Sequence, residues 1–307
     1  MISAVALFCI AQTPAIPANW PFETAGLTPL GGRYRFTEGP TWVTKKAGGE
    51  FIFCDMSADT VYAWSGNVSD EPRKLMSPSG RAVGSAADKD GVVYQVVTAA
   101  REIGKWSLQA DGTATARTTF AKDWDGKKLG GMNDLAVHPS GAVYVTHAEW
   151  FIDPLTKEVD HSGVIRIAPD GKVTDAAKEI VRPNGICFSP DGKTAYVTEF
   201  SAGRILKFTV GQGGAFTDKS EFANLAEMAK TQSIQGGGGA DGIRTDAKGN
   251  VYSTGPGGVW VLTTDGKFIA HLPTRATNLA FGGADGKTLL VTTGGGVATI
   301  KAKTAGF

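Results

Sequence analysis

Five side chains able to offer an oxygen recur at one register of this sequence. Asn133, Asn184, Asp241 and Asn278 each stand eight residues before a glycine, namely Gly141, Gly192, Gly249 and Gly286. Glu38 heads the matching segment TEGPTW (37–42), at a longer distance from its own Gly49, and the copy before Gly91 breaks the rule with Val83. Two carboxylates and up to three amide oxygens facing one point suit a hard divalent cation, since Ca2+ takes six to eight oxygens with water completing the shell. Glu38 and Asp241 alone would balance its charge, and the amides would coordinate without adding any. His138, His147, His161 and His271 are not spaced as a zinc site, which favours Ca2+ and leaves Zn2+, Mn2+ or Mg2+ as alternatives. A simpler reading stands beside this one: Asn or Asp before glycine is also an ordinary turn residue that bonds its own backbone. The shared register favours the ring.

The elements that would position such a ring are legible as a repeat. KAGGEFIFCD, ADKDGVVYQV, VHPSGAVYVT, SPDGKTAYVT, DAKGNVYSTG and GADGKTLLVT align on a turn glycine followed by a short apolar run. Their spacing suits blades of roughly 40–50 residues. Further strands follow in GVIRIA, GRILKF and GVWVLT. The expectation is an all-β, six-bladed β-propeller with four antiparallel strands per blade, one domain over 19–307, in which residues before about Gly49 complete the last blade and leave no open edge. Its innermost strands surround the channel, so the five oxygen-bearing positions would lie at one level of it. A β-sandwich pair or several small domains would not explain one motif running through the whole chain. The best candidate for a short helix is 221–230.

Composition narrows the partners. With 31 basic and 30 acidic residues and neither sign gathered in a run, the chain has no surface suited to a phosphate backbone or an anionic membrane. Residues 1–18 read as a secretory signal, an apolar run from Ile2 to Ala11 followed by small residues and prolines, though no Lys or Arg precedes the run. The run is too short to span a bilayer. A periplasmic or secreted monomer is expected, or a cytoplasmic one if that segment is only an apolar tail. Cys9 falls in the same segment, while Cys54 and Cys187 sit in apolar strand runs and read as buried free thiols.

At these residues the sequence resembles the gluconolactonase family, the senescence-marker-protein (regucalcin)-like lactonases. The matching segments are TEGPTW, MNDLAVHPSG (132–141), RPNGICFSPDGKTAYVTE (182–199), ADGIRTDAKGNVY (240–252), GGVWVLTTDGK (257–267) and TNLAFGGADGKTLLVT (277–292). The resemblance implies a six-bladed propeller with Glu38, Asn184 and Asp241 as metal ligands, Asn133 contacting substrate or metal through water, and Asp241 as the base. Asn278 matches a residue frequent in bacterial members and is grouped with the substrate contacts. The chain departs from the sugar lactonases at LGGMNDL, where Gly131 and Met132 replace an Arg often found there, which argues against a sugar-acid lactone held by such an Arg.

The implied chemistry is attack of water on a lactone or ester whose carbonyl is polarised by the cation, with Asp241 taking the proton. A metal-dependent phosphotriesterase-like hydrolase and a non-catalytic, metal-stabilised binding propeller are the alternatives. The loop HAEWFIDPLTKEVDHSG (147–163) is the longest insertion after a middle strand, and His147, Glu149 and Trp150 are its candidates for lining a pocket, with a plain surface loop as the equal alternative. The glycines of QSIQGGGGADG (232–242) lack the strand and helix context of a phosphate loop.

Overall fold

Short apolar runs broken by turn glycines cannot bury both faces alone, and here they do so by pairing into meanders that pack face to face. The computed structural model describes residues 19–45 and 48–307; the expected secretory segment and Cys9 lie outside them. Among the described residues, six four-stranded antiparallel sheets form the six blades. Their innermost strands are Thr37–Lys45, Ala82–Ala87, Met132–Val137, Pro183–Phe188, Ile243–Thr245 and Asn278–Gly282. A small extra hairpin, Asp123–Trp124 with Lys127–Lys128, lies between blades 2 and 3.

The last blade is closed from the other end of the sequence. Thr28–Pro29 pairs antiparallel with Val297–Lys301, and the order across this sheet is the early strand followed by the three late ones. The ring therefore closes without an open edge, as the sequence implies.

Six apolar clusters fill the seams, one between each pair of neighbouring blades. Ile186, Phe188 and Val197 of blade 4, for example, pack on Tyr144 and Val164 of blade 3. Cys54 lies in the seam between blades 1 and 2 and Cys187 in that between blades 4 and 5; both are buried and free. Burial pushes both thiols up to about 12, so neither is a nucleophile at neutral pH.

The expected helix over 221–230 begins later. Residues up to Asn224 extend the outer strand Phe216–Asn224, because Glu221 and Ala223 pair with Leu206 and Ile205. The helix is Leu225–Thr231, and Asn224 caps it by accepting from the Glu227 amide at 3.1 Å.

Candidate active site

Four of the six innermost strands carry a one-residue bulge at the same level. The register shifts between Glu38 and Thr41, Ala82 and Ser85, Met132 and Leu135, and Pro183 and Ile186. A bulge bends its strand and re-aims side chains. Asn133 and Asn184 lie inside theirs, Glu38 opens its own, and Asp241 comes just before the ladder of blade 5 begins at Ile243.

The glycines after Asn184 and Asp241 are not the left-handed turn residues that the Asn-Gly and Asp-Gly pairs suggest; neither Gly185 nor Gly242 has a positive φ. They are points of close approach between blades. A Cβ on Gly185 would lie 2.3 Å from the carbonyl oxygen of Asp241, and one on Gly242 would lie 2.2 Å from Oδ1 of Asn278. Gly185→Ala must therefore push blades 4 and 5 apart, and we expect it to lower stability by about 2 kcal/mol, read as a drop in thermal midpoint. A midpoint equal to that of the parent would show that the approach is not tight.

A second device sets the level of the ring. Thr146 donates to the carbonyl of Asn184 (2.6 Å), Thr198 to that of Asp241 (2.7 Å), Thr254 to that of Thr277 (2.8 Å) and Thr277 to that of Thr37 (2.9 Å). Each reaches across a seam to the backbone at, or one residue before, a ring residue of the next blade. These threonines include those of the recurring Val-Thr in YVTH and YVTE.

The ring brings together Glu38, Asn184, Asp241 and Asn278, with Asn133 buried in the bulge of blade 3 at the same level, and adds two residues that the repeat does not point to, Asp134 and Arg244. Glu38, Asn133, Asp134, Asn184 and Asn278 are all buried. The amide Nδ2 of Asn278 donates to Glu38 Oε2 at 3.1 Å and to Asp134 Oδ2 at 3.3 Å, while its Oδ1 accepts from the Leu279 amide. Asn278 is 0% exposed and its amide is committed to these bonds. It holds two carboxylates in place, a different task from the substrate contact expected of it. Arg244 faces the Asp134 carboxylate at 3.5 Å.

The electrostatics are those of an uncompensated anionic cluster. Burial, with the charge of Asp134 adding to it, pushes Glu38 up to about 7. Asp241 is pushed well above the ordinary carboxylate range by burial, then by the charges of Glu38 and Asp134. Burial also raises Asp134, against the pull of Arg244. Ionising all three beside one guanidinium would leave a charge of −2, which the fold resists by raising their proton affinity. Asn184 Oδ1 and Asp241 Oδ1 are buried without any hydrogen-bond partner, although buried polar atoms are rarely left so. An all-oxygen donor set, two unpartnered oxygens and carboxyls that lack a compensating charge fit a hard divalent cation.

Two of the expected pocket residues go elsewhere. His147 is buried beside His161, with ring centroids 5.1 Å apart, on the outer side of blade 3. Glu149 pairs with Lys157 at 2.6 Å within the insertion. Trp150 does turn toward the ring: its Nε1 donates to the carbonyl of Pro183, next to Asn184, and the Arg182 guanidinium stacks on it at 4.3 Å. A cavity of about 700 Å³ opens at the opposite end of the channel, lined by strand tails and turns that include Thr44, Asp88, Val137, Ser140 and Phe188. The unpartnered oxygens stand at the strand heads, away from this cavity.

Comparison with known proteins identifies the family and the fold. Residues 36–295 match the family model described as the SMP-30/Gluconolactonase/LRE-like region. A gluconolactonase from Zymomonas mobilis is 26% identical over 294 residues, covering 89% of this chain and 80% of that protein. The structure of a gluconolactonase from Xanthomonas campestris superposes with a TM-score of 0.76 at 27% identity, covering 92% of this chain and 91% of that one. A calcium-binding regucalcin from Agrobacterium tumefaciens shares the fold, with a TM-score of 0.71 at 24% identity over 94% of this chain and 96% of its own.

Proposed function

The chain belongs to the SMP-30/gluconolactonase/LRE-like family, and from that premise we propose that it is a divalent-cation-dependent lactonase. The observation that carries this reading is the pair of unpartnered buried oxygens, Asn184 Oδ1 and Asp241 Oδ1, beside three crowded buried carboxyls. Glu38, Asn184 and Asp241 would hold the cation, with Ca2+ best suited to an all-oxygen set, and Asn133 would reach it or the substrate through water. When bound, the cation supplies Lewis-acid polarisation of the lactone carbonyl and stabilises the oxyanion.

The chain's own residues do the rest. Asp241, a buried carboxyl with one oxygen free of any hydrogen bond, is the group placed to act as base once the cation holds it ionised. It takes a proton from water as the water oxygen bonds to the carbonyl carbon. The tetrahedral intermediate then breaks its bond to the ring oxygen, which takes the proton back from Asp241, and the product is the open hydroxy acid. Asn278 and Arg244 keep Glu38 and Asp134 in place while the charge moves. Trp150 and Arg182 wall the approach beside Asn184.

The test is turnover of a panel of aldonolactones by protein stripped of metal and then loaded with Ca2+, followed by proton release. Hydrolysis that appears on loading and disappears with chelator is the expected result. Loaded, folded protein that turns over none of the panel would overturn the reading.

A further inference from the structure

We propose that His147, His161 and Asp175 form a second metal site, of zinc type and separate from the oxygen ring. The three come from different parts of blade 3. His147 ends the strand Val143–His147, His161 lies near the end of the insertion, and Asp175 belongs to the outer strand Val173–Lys178. Each offers a ligand atom, and these atoms lie within 4.8 Å of one another.

Two observations set this cluster apart from a packed histidine pair. His147 is only 3% exposed, and its Nε2 is buried without a hydrogen-bond partner. Burial also pushes its imidazole down to about 4, so the ring is neutral at physiological pH, the form that binds metals. His161 is held at both nitrogens by carboxylates, Nε2 to Asp175 Oδ1 at 2.8 Å and Nδ1 to Asp160 Oδ1 at 3.2 Å. With Nε2 on a metal, Asp160 would supply the orienting carboxylate usual behind a metal-bound histidine. Lys178 sits on the far oxygen of Asp175 at 2.9 Å and over the Trp124 ring, leaving Oδ1 facing the histidines.

Two imidazoles and a carboxylate suit Zn2+ rather than Ca2+, with water as fourth ligand. Tetrahedral bonds of about 2.0–2.1 Å place ligand atoms roughly 3.3 Å apart, so the donors need only close on one another. Such a site would clasp both ends of the insertion to the edge of the blade, and would thereby fix Trp150, which the insertion carries. It does not depend on the lactonase reading, because no ring residue takes part.

The experiment titrates Zn2+, and Co2+ as a spectroscopic substitute, into protein already saturated with Ca2+. We expect one Zn2+ per chain, Co2+ bands of a tetrahedral centre, and a thermal midpoint raised by roughly 5 °C or more at high Zn2+. All three should vanish in His161→Gln/Asp175→Asn, while an unchanged far-UV spectrum and a cooperative melt without added metal show the variant folded. Should that pair fail to fold, His161→Gln alone, at a partly exposed position, must show at least a tenfold loss of Zn2+ affinity. Wild-type protein that binds no Zn2+ under these conditions, or variants that bind it equally well, would overturn the proposal.

Discussion

Asp241→Asn is expected to lower turnover of a lactone substrate by roughly 10³-fold, within the range that a positioned general base contributes. The substitution keeps an oxygen at the position of the unpartnered Oδ1 and removes only the capacity to accept a proton. Affinity for the cation should therefore fall less than turnover does. The thermal midpoint should hold or rise, because one of three mutually repelling buried carboxyls has become neutral. Measured kcat, the Ca2+ isotherm and the melting curve separate these outcomes. A kcat within tenfold of the parent would remove Asp241 from the role of base, whatever the metal does.

The second large effect is on stability, and its sign reverses with metal. Glu38 is raised from 4.5 to about 7 in the fold. Without metal, a carboxyl raised in this way contributes stability that is fully present below its unfolded value and lost as pH rises through the folded one. The metal-free protein should accordingly lose on the order of 3 kcal/mol between about pH 4.5 and pH 7 from this group alone, with Asp241 acting in the same direction. A divalent cation favours the ionised carboxylates, so Ca2+ should raise the midpoint more at pH 7.5 than at pH 5. Glu38→Gln should flatten the metal-free profile and weaken Ca2+ binding together. Calorimetric melting with and without chelator across this pH range gives the answer, and a metal-free protein that grows more stable from pH 4.5 to 7 would contradict the ring electrostatics.

The blades were legible because their hairpin turns demand a special backbone. Gly91, Gly141, Gly192, Gly249 and Gly286 take φ between 68° and 82°, open to glycine and few other residues. In the first blade it is Gly48, at φ 85°, that does so and not the aligned Gly49, consistent with the irregular count back to Glu38. The ring followed from the turns, since a fixed distance along similar strands reaches a fixed height. What the register did not convey was which neighbours meet at that height. Asn278 shares the spacing of Asn133 and Asn184, yet it lies beside Glu38, 240 positions away in sequence, and spends its amide there. Asp134 and Arg244 stood next to known motif residues, in MNDL and ADGIRT, but only the closed ring turns them toward each other. His147 was the converse case: its place at the head of the insertion suggested the pocket, whereas its ring packs outward on His161.

Closure of the last blade by Thr28–Pro29 also sets the order of events in folding. Blades 1 to 5 are assembled from strands close in sequence and can form soon after each is synthesised. Blade 6 requires Thr28 to find Thr299 and Pro29 to find Ala298, the most distant pairing of named strands among the described residues. Contacts of such separation form slowly because the loop entropy is lost before the contact is gained. Until then the strand Val297–Lys301 has a free edge, which a second, half-folded copy can occupy with its own early strand. Ring closure is thus both the final lock of the molecule and its point of competition between folding and exchange with a neighbour.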